Sequence, residues 1–186
     1  MARATVTPVT FGAYESDIKD TWLAGYLEWA FDAVSQWIDR NIEAGNEEFL
    51  ELAEIDWHGA REQMYANDVH KFETDDAVTI VGLIDDGSLI GGIYVDLLND
   101  SIAKLNRLWI PDAYQGHGFG KELSERAVGI ADAHDVDLIR LSTGPFMERA
   151  QSIYRDLGFE YRETPYPSST APEPLHPHWN FMELEL

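Results

Sequence analysis

The chain has 186 residues, of which 45% are hydrophobic and 12% aromatic, so it is long enough and apolar enough to fold around one sizeable core. Its 34 acidic residues against 13 basic ones give a net charge of −21. Such a surface repels nucleic acid and anionic membranes, whose binding depends on Lys and Arg contacts, so neither is an expected partner. The lack of any cysteine excludes disulfides, thiolate metal sites and cysteine nucleophiles.

The acidic residues are spread along the chain rather than gathered in one tail. In molar salt the screening length falls to about 3 Å and self-repulsion largely disappears, so we interpret the acidity as adaptation to a salty cytoplasm. The alternative is electrostatic steering of a polycationic substrate such as a polyamine. No apolar run approaches the length of a bilayer, and residues 1–10 lack the blocks of a signal peptide, so we expect a cytoplasmic protein.

The first part of the chain predicts one strand and two helices. Residues 4–11 alternate and are β-branched, which predicts a strand that Pro8 places near a sheet edge. Ser16 then caps a predicted helix whose apolar positions follow the 3.6-residue period. A second helix is predicted to begin at Gly45-Asn46 and to run toward Met64, before a polar stretch over 67–75.

The middle of the chain predicts an antiparallel meander. Its three strands are expected over 77–84, 89–97 and 102–110. The first two are joined by Asp-Asp-Gly at 85–87, a strong hairpin signal, and a second turn falls at 99–100.

The second half alternates between helices and strands, which indicates a mixed α/β plan. A glycine-rich loop at 115–121 opens it, and five prolines predict an irregular loop over 164–178. With no internal repeat or composition break, we expect a single domain over 1–186. The remaining predicted elements are a helix to residue 134, a strand over 136–142, a helix over 147–157, and strands over 160–163 and 179–186.

The loop Gln-Gly-His-Gly-Phe-Gly-Lys at 115–121 predicts a phosphate site. Glycines let the backbone approach a ligand, and amides at a helix N-terminus favour an anion. A Walker loop would need a glycine where Gln115 stands and a Ser or Thr after the lysine. A dinucleotide fingerprint starting at Gly116 would need its third glycine at Lys121. The spacing therefore excludes both nucleotide loops and leaves another phosphorylated cofactor.

Two motifs stand in order along the chain, with one helix and one strand between them. The first is the loop at 115–120, and the second consists of Ala150, Tyr154, Gly158 and Phe159. They resemble the Gln/Arg-x-x-Gly-x-Gly/Ala loop and the Ala-x-x-x-Tyr-x-x-x-Gly-Phe helix of the GNAT superfamily of acetyl-CoA-dependent N-acetyltransferases.

The resemblance covers residues 77–186 well, whereas the first 76 residues share only the layout of their predicted elements. Leu-Ser-Thr-Gly-Pro-Phe-Met at 141–147 is similar to a bacterial and archaeal branch whose substrates are largely unassigned. The family implies one α/β domain, with a mixed, mostly antiparallel central sheet of six to seven strands flanked by about four helices.

The resemblance also implies acetyl-CoA as the cosubstrate, without a metal. The CoA pyrophosphate would bind the loop amides, Lys121 would add a charge, and the pantetheine arm would pair with the backbone at Leu108 and Ile110 as an added strand. An amide near Ile110 would stabilise the reaction's oxyanion. The predicted cofactor-binding residues are Leu108, Ile110, Gln115, Gly116, His117, Gly118, Phe119, Gly120 and Lys121.

Tyr154 is the predicted catalytic residue. Acyl transfer releases a thiolate whose conjugate acid has a pKa of about 8.5, and a tyrosine near 10 can donate or share a proton with it. Ala150, one turn earlier on the same face, would leave room for the thioester. The alternative is that Tyr154 only packs between helix and sheet.

Two positions depart from the family pattern. Many relatives carry a glutamate, the usual candidate base, where this chain has Lys104, so the proton acceptor is an ordered water or a carboxylate such as Asp96. Many relatives carry a cofactor-contacting asparagine where this chain has Met147, as does the resembled branch, and we expect Met147 to pack.

The expected reaction is direct transfer of the acetyl group to a primary amine of a small molecule or protein. The acceptor site would be bordered by the first helices and the loop at 164–178. A homodimer is possible. The alternative to an enzyme is a catalytically weak acyl-CoA-binding or sensing module or partner subunit. A metal site at His176 and His178 is not expected, because no third ligand is visible nearby.

Overall fold

The computed structural model describes residues 4–167 and 169–186. Within them, seven strands form one sheet in the order β1-β2-β3-β4-β5-β7-β6. The strands are β1 (Thr5–Val9), β2 (Val78–Asp85), β3 (Ser88–Asn99), β4 (Ile102–Trp109), β5 (Leu138–Thr143), β6 (Glu160–Arg162) and β7 (Asn180–Glu185). The α-helices are α1 (Ala24–Glu43), α2 (Phe49–Ala53), α3 (Trp57–Thr74), α4 (Phe119–Asp132) and α5 (Glu148–Asp156). The mixed α/β, mostly antiparallel fold predicted from the sequence is therefore confirmed.

The neighbouring strands pair antiparallel except for β4 and β5, which are parallel. Their pairing covers only Ile102 to Lys104 on β4 and Leu138 to Arg140 on β5. Both strands continue beyond these pairs, so they separate at their C-terminal ends. The resulting gap in the sheet positions the site described below.

The predicted hairpin and edge strand are both present. Asp86 and Gly87 have φ values of 48° and 82°, so both central residues of the turn between β2 and β3 are left-handed. Two such residues make the tight turn whose twist matches that of the flanking strands. Strand β1, which contains Pro8, lies at one edge of the sheet.

The sheet is covered on both faces. Helix α4 packs its buried side chains, such as Leu123 and Ala127, in one core cluster with Val95 and Leu105 of the central strands. A second cluster brings Trp22, from the segment before α1, together with residues of α3 and the central strands.

The predicted second helix is wrong in its extent. It is split into α2 and α3, and the Asp56 side chain caps α3 by accepting a hydrogen bond from the Gly59 N–H at 2.9 Å. Helix α3 also continues through the polar stretch that was expected to lie between elements. Its polarity does not mean exposure, because Asp68 in this stretch is buried and forms an ion pair with Arg107.

The start of the first helix also differs from the prediction. Ser16 has helical backbone angles, and its side chain makes no capping hydrogen bond. The chain enters α1 through a π-helical segment, Asp17–Leu23, and the Ile18 N–H already donates to the Tyr14 carbonyl at 2.8 Å. The helical hydrogen bonding therefore begins before Ser16 could cap it.

The proline-rich segment over 164–178 is less irregular than predicted. Its last six residues form a 3₁₀ helix, Glu173–His178, and Leu175 within it is buried. Residue 168 lies outside the described residues. Among the helices over 4–167 and 169–186, none combines the length and apolar character needed to cross a membrane.

Candidate functional site

A β-bulge lies in β4 beside the gap in the sheet. The register between β3 and β4 shifts between Gly92 and Tyr94, so Arg107 and Leu108 of β4 together face Ile93 of β3. Arg107 adopts a left-handed conformation with φ of 59°, which costs a non-glycine residue about 1–3 kcal/mol. Bulges with such strain often lie next to functional sites, where they redirect backbone groups.

Buried polar contacts hold this bulge in place. The Trp22 Nε1–H donates to the Arg107 carbonyl at 3.1 Å, and the Arg107 Nε–H donates to Asp68 Oδ2 at 2.7 Å. The Tyr94 hydroxyl donates to the other Asp68 oxygen at 3.1 Å. Burial alone would lower the pKa of Arg107, but the Asp68 carboxylate, together with Tyr26 and Tyr94, outweighs this effect and the pKa is raised. The guanidinium therefore keeps its charge inside the protein.

The glycine loop leads into α4 with the conformation that glycine permits. Gly116 and Gly118 have φ values of 79° and 88°, and a Cβ at either would contact no other atom within 4 Å. Gly118 immediately precedes α4, whose first N–H groups have no partners within the helix. Gly120 serves packing instead, because a Cβ there would lie 3.2 Å from Ile153 Cδ1 of α5. The loop therefore offers open space and backbone donors together.

A groove of about 1610 Å³, counted to its open mouth, runs between the end of β4, this loop and α5. The predicted cofactor-binding residues that line it are Leu108, Ile110, Gln115, Gly116, Gly118, Gly120 and Lys121.

The other two predicted cofactor-binding residues direct their side chains elsewhere. The His117 Nδ1 lies 3.0 Å from the Gln115 carbonyl, within its own loop. Phe119 is buried in the core cluster under α4. Sequence reasoning treated the loop as one unit, whereas alternate residues of it turn away from the groove.

Arg149 is a groove residue that sequence reasoning missed. Its Nη1 donates to Gln115 Oε1 at 2.9 Å, and the Gln115 amide nitrogen donates to Asp112 Oδ1 at 2.8 Å. Gln115 thus connects the loop to α5. Together with Lys121, Arg149 supplies positive charge to the groove walls. Its position next to Ala150 of the second motif was the signal that could have identified it.

A second cavity lies in the gap between β4 and β5, and we call it the acceptor cleft because the sequence predicted the acceptor site beside the first helices and the loop at 164–178. Counted to its open mouth, it encloses about 810 Å³ of space between atoms, and it is bounded by α1, α3, α5 and the proline-rich segment. Its aromatic side chains are Tyr26, Trp29, Phe31, Trp57, Tyr154 and Trp179. The cleft and the groove share the residues Trp29, Leu108, Met147 and Ala150, so the two cavities meet.

Tyr154 lies on the wall of the acceptor cleft. The side chain is 6% exposed, and its ring centroid lies 5.7 Å from that of Phe159. Burial raises the pKa of Tyr154, and Tyr26 and Tyr166 act in the same direction. Ala150, one turn earlier, lies where the cleft meets the groove. Tyr154 and Ala150 therefore line the same cleft, one helical turn apart.

Lys104, which stands where many relatives carry a glutamate, and Asp96, the candidate carboxylate base, do not line the acceptor cleft. Lys104 is 1% exposed, and burial lowers its pKa to about 7, with the Arg107 charge adding to the effect. Asp96 faces Lys104 in the β3–β4 register and accepts a hydrogen bond from Lys71 Nζ at 2.5 Å. Its carboxylate is therefore engaged in a partly buried ion pair rather than directed at an acceptor.

Met147 and the two C-terminal histidines have structural contacts. The Gly144 N–H donates to Met147 Sδ at 3.4 Å. Met147 also lines both cavities, so it does more than pack in the core as the sequence predicted. His176 Nε2 lies 2.9 Å from the Ala171 carbonyl, and the His178 ring lies 4.7 Å from that of Phe49. Within the described residues, no group of three or more His, Cys, Asp or Glu side chains is arranged to hold a metal ion.

The sequence matches the family model of the acetyltransferase (GNAT) family over residues 31–159, which is more than half of the chain. The chain therefore belongs to the GNAT acetyltransferase family. The match begins inside α1, earlier than the residues on which the resemblance was strongest. No curated protein matches the sequence.

Solved structures share the fold over the whole chain. An acetyltransferase from Streptococcus agalactiae has a TM-score of 0.64 at 16% identity, with 100% of both chains covered. The PaiA N-acetyltransferase of Thermoplasma acidophilum, solved in complex with coenzyme A, has a TM-score of 0.63 at 17% identity, also with 100% of both chains covered. The yncA protein of Salmonella typhimurium, solved with acetyl-CoA, has a TM-score of 0.63 at 14% identity, covering 100% of this chain and 95% of that one.

Proposed function

We propose that this protein transfers the acetyl group of acetyl-CoA directly to a primary amine. The observation that carries the proposal is the junction of two cavities with different linings. The groove contains the glycine loop, Lys121 and Arg149, which suit a phosphorylated ligand, and the acceptor cleft contains aromatic side chains and Tyr154. A thioester at Leu108 and Ala150, where the cavities meet, would be accessible from both.

The residues of the groove fit acetyl-CoA. The open space beside Gly116 and Gly118 and the N-terminus of α4 would hold the pyrophosphate. Beyond Lys104, the edge of β4 that faces the gap is not paired to β5, so it can pair with the pantetheine arm. Leu108 lines both cavities and follows the bulged Arg107, so its N–H is a better oxyanion donor than an amide near Ile110, which lines only the groove.

The reaction forms one bond between the amine nitrogen and the acetyl carbon and breaks the bond between that carbon and sulfur. The nitrogen loses one proton and the thiolate gains one, so no oxidant or metal is needed for the balance. The pKa of a tyrosine is ordinarily above that of a thiol, and burial raises the pKa of Tyr154 further, so complete proton transfer from Tyr154 to the thiolate is unfavourable. We therefore assign Tyr154 to hydrogen-bond donation and proton sharing with the leaving sulfur.

The attacking amine has to be neutral, and its proton needs an acceptor. None of the described residues that line the acceptor cleft is an aspartate or glutamate. The ordered water considered from the sequence is thus a better acceptor than Asp96, which is paired with Lys71. The water can then deliver this proton to the thiolate, to which Tyr154 donates its hydrogen bond.

The test combines binding and turnover in the full-length protein at low and molar salt. Acetyl-CoA should raise the melting temperature, and CoA should be released when amines are added. Absence of both effects at both salt concentrations would overturn the proposal. Binding without turnover of any amine would instead support an acyl-CoA-binding module.

A further inference from the structure

The acceptor cleft is poor in negative charge although the whole chain is strongly acidic. None of its described lining residues is acidic, while the Arg107 side chain lies on its wall. Asp68 is 4% exposed and is engaged by both Arg107 and Tyr94. A substrate with a second ammonium group would have to bury that charge without a carboxylate partner, which is strongly unfavourable.

The walls of the cleft suit a planar apolar body. Aromatic side chains reach it from three directions: Tyr26 and Phe31 from α1, Trp57 from α3, and Trp179 from the segment that follows the 3₁₀ helix. Aromatic pairs add favourable energy beyond the area they bury.

One buried hydroxyl in the cleft indicates a polar contact with a ligand. Thr143 is 2% exposed and lines the cleft at the end of β5. Its Oγ1 is buried and has no hydrogen-bond partner among residues 4–167 and 169–186. Buried hydroxyls without partners are rare in folded proteins, so a substrate group is a suitable partner.

We propose, on the basis of the proposed function, that the acceptor is a small primary amine with an aromatic body and no second positive charge. Polyamines and lysine side chains with neighbouring cationic residues are then poor substrates. The overall charge of −21 attracts polycations to the surface at low salt, so only rates at molar salt report the fit of the cleft.

The first experiment compares kcat/KM in molar salt for five acceptors. They are 2-phenylethylamine, its saturated analogue 2-cyclohexylethylamine, phenylalanine, spermidine and a lysine-containing peptide. We expect 2-phenylethylamine to exceed its saturated analogue by roughly 2- to 10-fold and spermidine and the peptide by more than roughly 10-fold. Phenylalanine shows whether Arg107 also accepts a carboxylate on the same aromatic body. Spermidine or the peptide as the best substrate would overturn the inference and leave acetyl transfer intact, whereas no turnover of any amine counts against the proposed function.

The second experiment adds the missing charge. Ala171 lies in the proline-rich segment and lines the cleft. Ala171→Asp should raise kcat/KM for spermidine relative to 2-phenylethylamine by roughly 10-fold, whereas the uncharged, similarly shaped Ala171→Asn should not. Equal effects of the two variants would contradict the electrostatic argument.

The third experiment removes the hydroxyl of Thr143 at constant shape. Thr143→Val should lower kcat/KM for the best aromatic amine by roughly 3- to 10-fold, and Thr143→Ser should restore it. The acetyl-CoA-induced rise in melting temperature should be unchanged in both, because Thr143 lines the cleft and is not among the groove residues. A Thr143→Val variant with wild-type kinetics for every amine would remove Thr143 as a substrate contact.

Discussion

The groove and the acceptor cleft are built from different parts of the polypeptide. The groove depends on the backbone of one short loop, with left-handed Gly116 and Gly118 and the first amides of α4. The cleft depends on side chains from α1, α3, β4, β5, α5 and the proline-rich segment. Backbone recognition tolerates few substitutions, whereas a wall of side chains can change one residue at a time. We therefore expect variants to separate cofactor affinity from acceptor selectivity.

The most effective way to sharpen this comparison is Tyr154→Phe. The phenylalanine ring preserves the packing against Phe159, but it removes the hydroxyl on the cleft wall. We expect kcat to fall by roughly 10²- to 10⁴-fold while the affinity for acetyl-CoA stays unchanged. Steady-state kinetics and titration of acetyl-CoA measure the two effects. A kcat within a few fold of wild type would leave Tyr154 with a packing role only.

Lys104 lies outside both cavities, so its replacement should change the stability of the fold but not the affinity for acetyl-CoA or for the amine. The pKa of this buried lysine is lowered from 10.5 to about 7. Between these values the unfolded chain binds more protons than the folded one, so the contribution of Lys104 to stability rises with pH. Below pH 7 Lys104 is charged in both states, so the cost of burying its charge is complete. A pKa shift of this size corresponds to a cost of at most about 5 kcal/mol in the free energy of unfolding.

The measurement is the free energy of unfolding of Lys104→Met across pH 6 to 10. The variant should exceed the wild type most at pH 6, and the difference should shrink toward pH 10. Lys121→Met is the control for removing a lysine from an acidic protein, because Lys121 is about half exposed. If the free energies of unfolding of Lys104→Met and the wild type differed by the same amount at every pH, the buried-lysine interpretation would be wrong.

Gly118→Ala tests the backbone character of the groove. The φ of 88° at Gly118 is costly for alanine by about 1–2 kcal/mol, so we expect the affinity for acetyl-CoA to fall by roughly 10-fold. Gly129→Ala is a matched control within α4, the helix that Gly118 precedes, since a Cβ there also meets no atom within 4 Å and its φ is not left-handed. It should increase stability by up to about 1 kcal/mol and leave the affinity unchanged. Equal losses of affinity in both variants would rule out the loop conformation as the cause.

The two regions also differ in how far the sequence predicted them. The groove was predictable because the left-handed backbone of the loop requires glycine at Gly116 and Gly118, and a short sequence motif shows such a local requirement directly. The bulge at Arg107 was not, because its left-handed conformation depends on Asp68 and Trp22, which are distant in sequence. The same ion pair explains why the polar end of α3 was misread: a buried carboxylate looks like an exposed one until its partner is known.

Arg149→Gln tests the smallest contribution, that of side-chain charge to the groove. Arg149 is exposed, and such charges contribute roughly 0.2–1 kcal/mol, so the dissociation constant for acetyl-CoA should rise by roughly 2- to 5-fold at low salt. Screening should abolish the difference in molar salt, because the interaction is exposed. Arg126→Gln removes the same charge beside Pro8 and Gly129, away from the groove, and should leave the affinity unchanged. We expect the groove to gain most of its affinity for acetyl-CoA from backbone amides, so a loss larger than that of Gly118→Ala would reverse the order of the two contributions.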